Sequence, residues 1–247
     1  MSLQACADIV RAGDPDRFAA AMAAPVAARR VLFPLYAFNI EVARAPFVTE
    51  EPLLAEMRLQ WWRDVLDEIA GGGQVRRHEV ATPLAEVLPP EIAPKLLPLI
   101  DARRWDIARE PFATAEALWD HLDATAGTLM EVTAEALGRA GDVRPLARGA
   151  GMAAWFLALP RYITLNRRPL PDTQPASIHA LAQQALSHLK HPHGLSGPAK
   201  SATFAAWPAR DVLRQALKRP EAVLDGTLVV SEFRRRLALA KLSLRGV

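Results

Sequence analysis

The sequence is poor in the residue types that build disulfides, metal sites and membrane spans. Among its 247 residues only Cys6 is a cysteine, which excludes an internal disulfide and a four-cysteine zinc site. Tyr36 and Tyr162 are the only tyrosines, and aromatic residues make up 6% of the chain. The most apolar stretch, residues 152–165, contains a proline and an arginine and is too short to span a bilayer. We therefore expect neither a disulfide-rich fold nor a transmembrane one.

The N-terminal stretch MSLQACADIVRAGDPDRF carries aspartates early and no long apolar run, which is not the pattern of a secretory signal. We expect a soluble, cytoplasmic protein whose residues 1–14 could be a loosely ordered segment, and peripheral contact with the inner membrane stays open. The formal net charge is +3, and the clustered arginines are not interleaved with aromatic residues. Nucleic acid is therefore not an expected partner.

Helical periodicity recurs along almost the whole chain. Between residues 54 and 69, apolar side chains recur at three- and four-residue steps, and the glycines of 71–73 then end the helix. No run alternates with period two for long enough to predict a strand, and no linker separates two domains. We predict one all-α domain over residues 1–247. Its predicted helices cover residues 16–24, 26–45, 54–69, 83–88, 92–110, 114–138, 143–166, 175–190, 209–218 and 220–243.

Three segments carry a resemblance to a known family. The first is LYAFN at 35–39, followed about 20 residues later by MRLQWWRD at 57–64. The second is AG at 126–127, and the third runs from GMA at 151–153 through LPR to RPLP at 168–171. In this order and spacing they resemble the squalene/phytoene synthase family, whose members have the all-α isoprenoid (terpenoid) synthase fold. The resemblance implies a single-domain helical bundle of that type.

Active members of that family join two prenyl diphosphates head to head, using Mg²⁺ and two aspartate-rich motifs on facing helices. Magnesium reaches a diphosphate through a few carboxylates and the phosphate oxygens. Carboxylates three or four residues apart lie on one face of a helix, so one turn can hold a metal cluster. The resemblance therefore implies aspartates at defined positions of two helices.

The first of these motifs lacks its aspartates. Counted from Tyr36, the residues at the positions of the family's D-D-x-x-D run are Ala43, Arg44 and Phe47. An arginine in place of an aspartate repels Mg²⁺ where attraction is needed. We predict that this helix does not bind a metal ion.

The second motif lacks its aspartates too. Arg161 is present, but Tyr162 and Asn166 follow it where aspartates are implied, and Trp155 and Ala158 replace the usual polar pair. We therefore predict no catalytic residue, no metal site and no cofactor. The alternative stays open that this is a Mg²⁺-dependent transferase acting on farnesyl or geranylgeranyl diphosphate.

The frame of a ligand cavity is still predicted between the two helices. Arg44 and Arg161 near its mouth could hold an anionic lipid headgroup or a phosphate without metal. Trp155 could plug the place of the diphosphate, and a third hypothesis has the channel filled by Trp155 and Phe156. The predicted cavity residues are Tyr36, Asn39, Ala43, Arg44, Phe47, Trp155, Arg161 and Tyr162.

Other candidate ligands of a metal are weighed against structural roles. Asp123, Glu131 and Glu135 could share a helix face, but an ion-paired or solvated role is favoured for them. Histidines at 188, 191 and 193 have no carboxylate or cysteine near them in sequence, so surface or helix-capping roles are favoured there too.

A second level of resemblance concerns a branch of the family. FN at 38–39 with Glu41 and Ala43, and SHLKH at 187–191, are similar to the complex I assembly factors that have a phytoene-synthase-like domain without the aspartate-rich motifs. This resemblance implies a non-catalytic binding or assembly factor in respiratory complex I biogenesis. The implied partners are a respiratory-complex subunit or assembly partner, and an anionic lipid or prenyl ligand.

Overall fold

The computed structural model describes residues 2–138, 141–190, 192–195, 197–229 and 231–245, and within these ranges it contains helices and no strand. The predicted all-α architecture is confirmed. The helices are α1 (Leu3–Gly13), α2 (Pro15–Ala23), α3 (Val26–Arg44), α4 (Pro52–Ala70), α5 (Ala81–Val87), α6 (Leu97–Ala102), α7 (Arg104–Ala108), α8 (Ala115–Leu122), α9 (Thr128–Ala136), α10 (Arg144–Thr164), α11 (Pro175–His188), α12 (Ala209–Lys218), α13 (Glu221–Leu224) and α14 (Glu232–Arg245). Segments of tighter or wider helix lie between them, 3₁₀ at Ala45–Phe47, Ala93–Leu96 and Gly197–Ala206, and π at Asp123–Gly127.

The N-terminal segment differs from the expectation of loose order over residues 1–14. Ser2 caps α1, its hydroxyl accepting a hydrogen bond from the backbone N–H of Ala5. Cys6 and Val10 are fully buried, and α1 packs along α3. Burial raises the pKa of the Cys6 thiol to about 12, so the side chain stays neutral and packs as a small apolar group.

Three predicted helices are interrupted in the structure. The helix predicted over 114–138 is divided into α8 and α9 by the π segment at Asp123–Gly127. The segment predicted as one helix over 92–110 consists of a 3₁₀ segment, α6 and α7, because Pro94 and Pro98 each begin a new segment. The segment predicted over 220–243 is divided into α13 and α14. Gly226 follows α13 with φ of +69°, a conformation that favours glycine and ends the helix.

Two large apolar clusters form most of the core. One joins α1 to α6 and includes Phe38 and Trp62, and the other joins α8 with α10–α13 and includes Trp119 and Trp155. Trp62 is buried while its neighbour Trp61 is half-buried, which confirms that at least one of the pair packs in the core. None of the helices in the described part of the chain has the length and apolarity that a bilayer crossing needs.

Two glycines fix the position of α10. A Cβ at Gly149 would lie 2.6 Å from the carbonyl oxygen of Ala185 on α11, so the backbones of the two helices approach each other closely here. A Cβ at Gly151 would lie 2.8 Å from the Cβ of Ala126 in the π segment. This second contact joins two of the segments that carry the family resemblance. Together these contacts position the first half of α10 against α11 and the π segment.

Replacing Gly149 with alanine tests this packing. Alanine favours a helix over glycine by about 1 kcal/mol, but overpacking a close contact costs about 1–3 kcal/mol. Because the obstacle is the Ala185 backbone and not a flexible side-chain end, we expect Gly149→Ala to lower the melting temperature by a few degrees. Differential scanning calorimetry measures the change.

Gly73→Ala, after the end of α4, is the control for the glycine-to-alanine exchange, because a Cβ there has no neighbour within 4 Å and its φ is not positive. We expect no loss of stability in this variant. A Gly149→Ala protein as stable as the wild type would contradict the packing described for α10.

Candidate functional site

A cavity of about 530 Å³ lies between α3 and α10. The α1–α2 junction and the π segment after α8 complete its wall. All but one of the predicted cavity residues line it, namely Asn39, Ala43, Arg44, Phe47, Trp155, Arg161 and Tyr162. Residues far apart in the chain are thus brought to one space by the packing of two helices.

Tyr36, the remaining predicted residue, lines an adjoining cavity of about 450 Å³ that shares Asp14, Arg17 and Arg161 with the first. The guanidinium carbon of Arg17 lies 5.7 Å from the centroid of the Tyr36 ring. The buried hydroxyl has no hydrogen-bond partner among the described residues. Burial raises the pKa of Tyr36 to about 12, so this hydroxyl is neutral near pH 7 and can donate a hydrogen bond.

The charged side chains of the cavity are mainly cations. Among the described residues, the lining has four arginines, Arg17, Arg44, Arg103 and Arg161, and one carboxylate, Asp14. Asp14 accepts hydrogen bonds from the backbone N–H and the guanidinium of Arg17, at 2.9 and 2.6 Å. The single carboxylate is therefore already engaged, and the excess charge of the lining is positive.

The two predicted mouth arginines differ in their partners. Arg44 is ion-paired with Glu41 at 2.9 Å, so the carboxylate nearest the first motif neutralises the arginine that replaces an aspartate. Arg161 is exposed and has no carboxylate partner among the described residues. Its guanidinium carbon lies 5.3 Å from the centroid of the Phe47 ring, which orients the charge at the cavity edge.

Trp155 forms an aromatic wall and does not fill the cavity. Its indole N–H donates to the carbonyl of Pro169 at 2.9 Å, so its polar group is satisfied away from the cavity. The ring packs 5.0 Å from that of Tyr162 and 5.3 Å from that of His121. The hypothesis of a channel filled by Trp155 and Phe156 is wrong, because Phe156 is fully buried in the core and the cavity beside Trp155 is open.

A buried acid behind this wall was not predicted. Asp106 is 0% exposed, and its carboxylate lies 3.7 Å from the guanidinium of Arg103 and beside the hydroxyl of Tyr162. Arg167 donates a hydrogen bond to the backbone carbonyl of Asp106. Burial raises the pKa of the Asp106 carboxyl, and Arg103 opposes that shift. The same burial, with Asp106 next to it, raises the pKa of Tyr162.

His121 is a second unpredicted residue of the cavity. It is 7% exposed, and its Nε2 has no hydrogen-bond partner among the described residues. Burial and the nearby Arg103 lower the pKa of His121 to about 3, so the imidazole is neutral. Its chain position gave little signal, because it lies between apolar residues of α8 that also face the core.

The alternative carboxylates all have structural partners outside the cavity. Glu131 is ion-paired with Arg144, Glu135 with Lys95 at 2.7 Å, and Asp123 with Arg148 at 3.2 Å. None of the three carboxylates lines the cavity. The prediction of ion-paired roles for them is confirmed.

The histidine candidates are not brought together as a metal site either. His188 packs 5.6 Å from the Trp119 ring, and His193 is exposed. His191 lies outside the described residues.

The donor set does not fit the Mg²⁺ that the fold implies. Across the described residues no group of three or more His, Cys, Asp or Glu side chains is placed to hold a metal ion. The cavity offers only Asp14, whose oxygens are bound by Arg17, and three further guanidinium groups. Magnesium prefers several oxygen ligands, and the guanidinium groups that line the same cavity would repel it.

A family model described as squalene/phytoene synthase matches residues 10–157, more than half of the chain. The chain belongs to the squalene/phytoene synthase family. The squalene/phytoene synthase fold extends over nearly all of it. A dehydrosqualene synthase, solved in complex with ligand, superposes with a TM-score of 0.70 over 98% of this chain and 95% of that one, at 13% identity. The predicted isoprenoid synthase fold is confirmed.

Two curated relatives in this squalene/phytoene synthase family carry the same name. The NADH dehydrogenase (ubiquinone) complex I, assembly factor 6 homolog of Drosophila melanogaster is 27% identical over 199 residues, which are 75% of this chain and 58% of that protein. Assembly factor 6 of Bos taurus is 23% identical over 267 aligned residues, 97% of this chain and 79% of that protein. The chain therefore spans only part of each relative, and the predicted similarity to the assembly-factor branch is confirmed.

The neutral, buried His121 predicts a loss of stability in mild acid. The unfolded chain takes up a proton below the ordinary histidine pKa of 6.5, whereas the folded chain does so only near 3. Stability therefore falls as the pH drops through this window, by about 2 kcal/mol between about pH 6.5 and about pH 5 from this group. His121→Leu should lose less stability over this range in urea unfolding.

His179→Leu is the control, because His179 is an exposed histidine on α11. In this variant the free energy of unfolding should change with pH as it does in the wild type. Identical pH dependence in the wild type and in His121→Leu would contradict a buried neutral imidazole at this place.

Proposed function

We propose that this protein is a non-catalytic member of the squalene/phytoene synthase family that assists the assembly of respiratory complex I. The observation that carries the proposal is the charge of its cavity, in which Arg44 and uncharged side chains stand where a metal-dependent synthase needs carboxylates. The names of the relatives support the assembly role, although the chain aligns with only 58% of the first. The proposed location is the cytoplasm, with peripheral contact to the inner membrane.

The chemistry of a prenyl synthase begins with the loss of a diphosphate, which Mg²⁺ promotes by neutralising the developing negative charge. Arginines can bind a diphosphate, but with Ala43, Phe47 and Tyr162 at motif positions this cavity cannot hold the metal cluster. The space for a prenyl chain is thus retained and the means to ionise it is lost. This is the expected arrangement of a binding protein derived from a synthase frame.

We further propose that the cavity binds an anionic headgroup attached to an apolar tail, without metal. Arg161 supplies a guanidinium at the edge that has no carboxylate partner among the described residues, and Arg17, ion-paired with Asp14, lies between the two cavities. The Tyr36 hydroxyl and the His121 Nε2 beside this space have no hydrogen-bond partner in the part of the chain that the structure describes. Apolar side chains of the adjoining cavity, including Leu129, offer a place for the tail.

Metal-free anion binding gives the first test, with pyrophosphate as the probe in isothermal titration calorimetry. We expect binding in the presence of EDTA and no gain on adding Mg²⁺. Arg161→Glu should weaken it on the order of tenfold or more, because a charge-assisted hydrogen bond is replaced by repulsion. Arg168→Glu, at an exposed arginine outside both cavities, is the matched control. Binding that requires Mg²⁺ would contradict the proposal.

The assembly role has its own test in the source organism. A tagged protein should retrieve complex I subunits, and the purified protein should release no pyrophosphate from farnesyl or geranylgeranyl diphosphate with Mg²⁺. An active synthase of the family, assayed in parallel, is the positive control for release. Turnover of either diphosphate, with no complex I subunit retrieved, would favour the transferase alternative and end the assembly proposal.

A further inference from the structure

The outward face of α14 carries an apolar stripe. Phe233, Leu237, Ala240 and Leu244 follow each other at steps of four, three and four residues, which places them on one side of a helix. All four are exposed, and Phe233 and Leu244 expose 74% and 80% of their surface. Within the described part of this chain nothing covers them.

The opposite face of α14 is anchored to the body of the protein. Leu242 packs against the first apolar cluster, and α14 lies along α2. Arg235 is ion-paired with Asp16 at 3.2 Å, and its guanidinium carbon lies 5.5 Å from the Trp207 ring centroid. Because the opposite side of the helix already packs against the protein, the stripe is a second apolar face and not the face by which α14 joins the core.

The charge around the stripe is positive. The sequence EFRRRLALAKLSLR of α14 contains five basic residues and one acidic residue. Arg234 and Lys241, which follow Phe233 and Ala240 in the chain, lie next to the stripe on the same side of the helix. Arg234 makes only a long contact of 3.5 Å with Asp211, and its side chain is 66% exposed. An apolar stripe bordered by cations complements a surface that has an anionic outer layer over an apolar interior.

We propose that α14 docks the protein in the plane of an anionic membrane surface, with its apolar stripe in the headgroup region. A helix of this length is about 21 Å long, so one face offers on the order of 200 Å². A stable protein interface needs about 800 Å² per partner, which favours a bilayer over a protein as the occupant. Membrane association gains instead from modest apolar burial added to attraction between basic residues and anionic lipid.

Sedimentation with vesicles tests the docking, using phosphatidylcholine alone and phosphatidylcholine mixed with phosphatidylglycerol. The wild type should sediment with the mixed vesicles and much less with the neutral ones. Phe233→Ser combined with Leu237→Ser should lower the partition coefficient about tenfold or more, because two exposed apolar groups are lost. Arg234→Glu and Lys241→Glu should each lower it at least about fivefold and flatten its salt dependence.

The matched control is Leu53→Ser with Met57→Ser on α4, where side chains 71% and 60% exposed are removed far along the chain from α14. These variants should sediment as the wild type does, and circular dichroism should show each variant folded. An equal loss in the control, equal binding to both vesicle types, or no binding by the wild type would overturn the proposal.

Two further outcomes separate this docking from other contacts. If the stripe variants bind vesicles normally but no longer retrieve protein subunits from a detergent extract, the stripe is a protein interface and the membrane proposal fails. Arg161→Glu should keep vesicle binding, because Arg161 belongs to the cavity and not to α14. The test of membrane docking is therefore independent of the test of the proposed cavity ligand.

Discussion

The close approach of α10 to its neighbours is the contact on which the site depends. Gly149 and Gly151 let the helix sit against the Ala185 carbonyl and the π segment, where any side chain would force the elements apart. Once α10 is held there, its next turns present Trp155 and Arg161 to the space facing α3. Packing of this kind needs only small residues and apolar partners, and no metal ion takes part in it.

That independence explains how a synthase frame can persist without synthase chemistry. The cavity walls are set by helix packing, while the ability to ionise a diphosphate is set by a few charges on the walls. Exchanging aspartates for groups such as Ala43, Arg44 and Tyr162 changes the second property and leaves the first in place. In the proposed function, the positive lining retains an anion without breaking it down.

Sequence patterns predicted most of the helices, because helical periodicity depends on spacing along a single segment. The family resemblance, and not periodicity, supplied the predicted cavity residues, nearly all of which line the cavity. His121 and Arg103, which line the cavity, and Asp106, which lies behind its wall, were missed, since only the fold brings them there and they lie among ordinary core or surface residues in the chain. Helix breaks were missed for a related reason. Pro94 is a local signal, but whether a proline starts a new helix or a kink is decided by the neighbours it packs against.

The turn at the start of α2 contacts both the cavities and α14. Asp14 and Arg17 face the two cavities, while Asp16, between them, holds Arg235 of α14. The coupling free energy between two binding sites is reciprocal. If a bound anion alters this turn and thereby changes the affinity of α14 for a partner, the partner changes the affinity of the cavity for the anion by the same factor. Through such a coupling, a loaded cavity and an empty one would differ in their affinity for an interface.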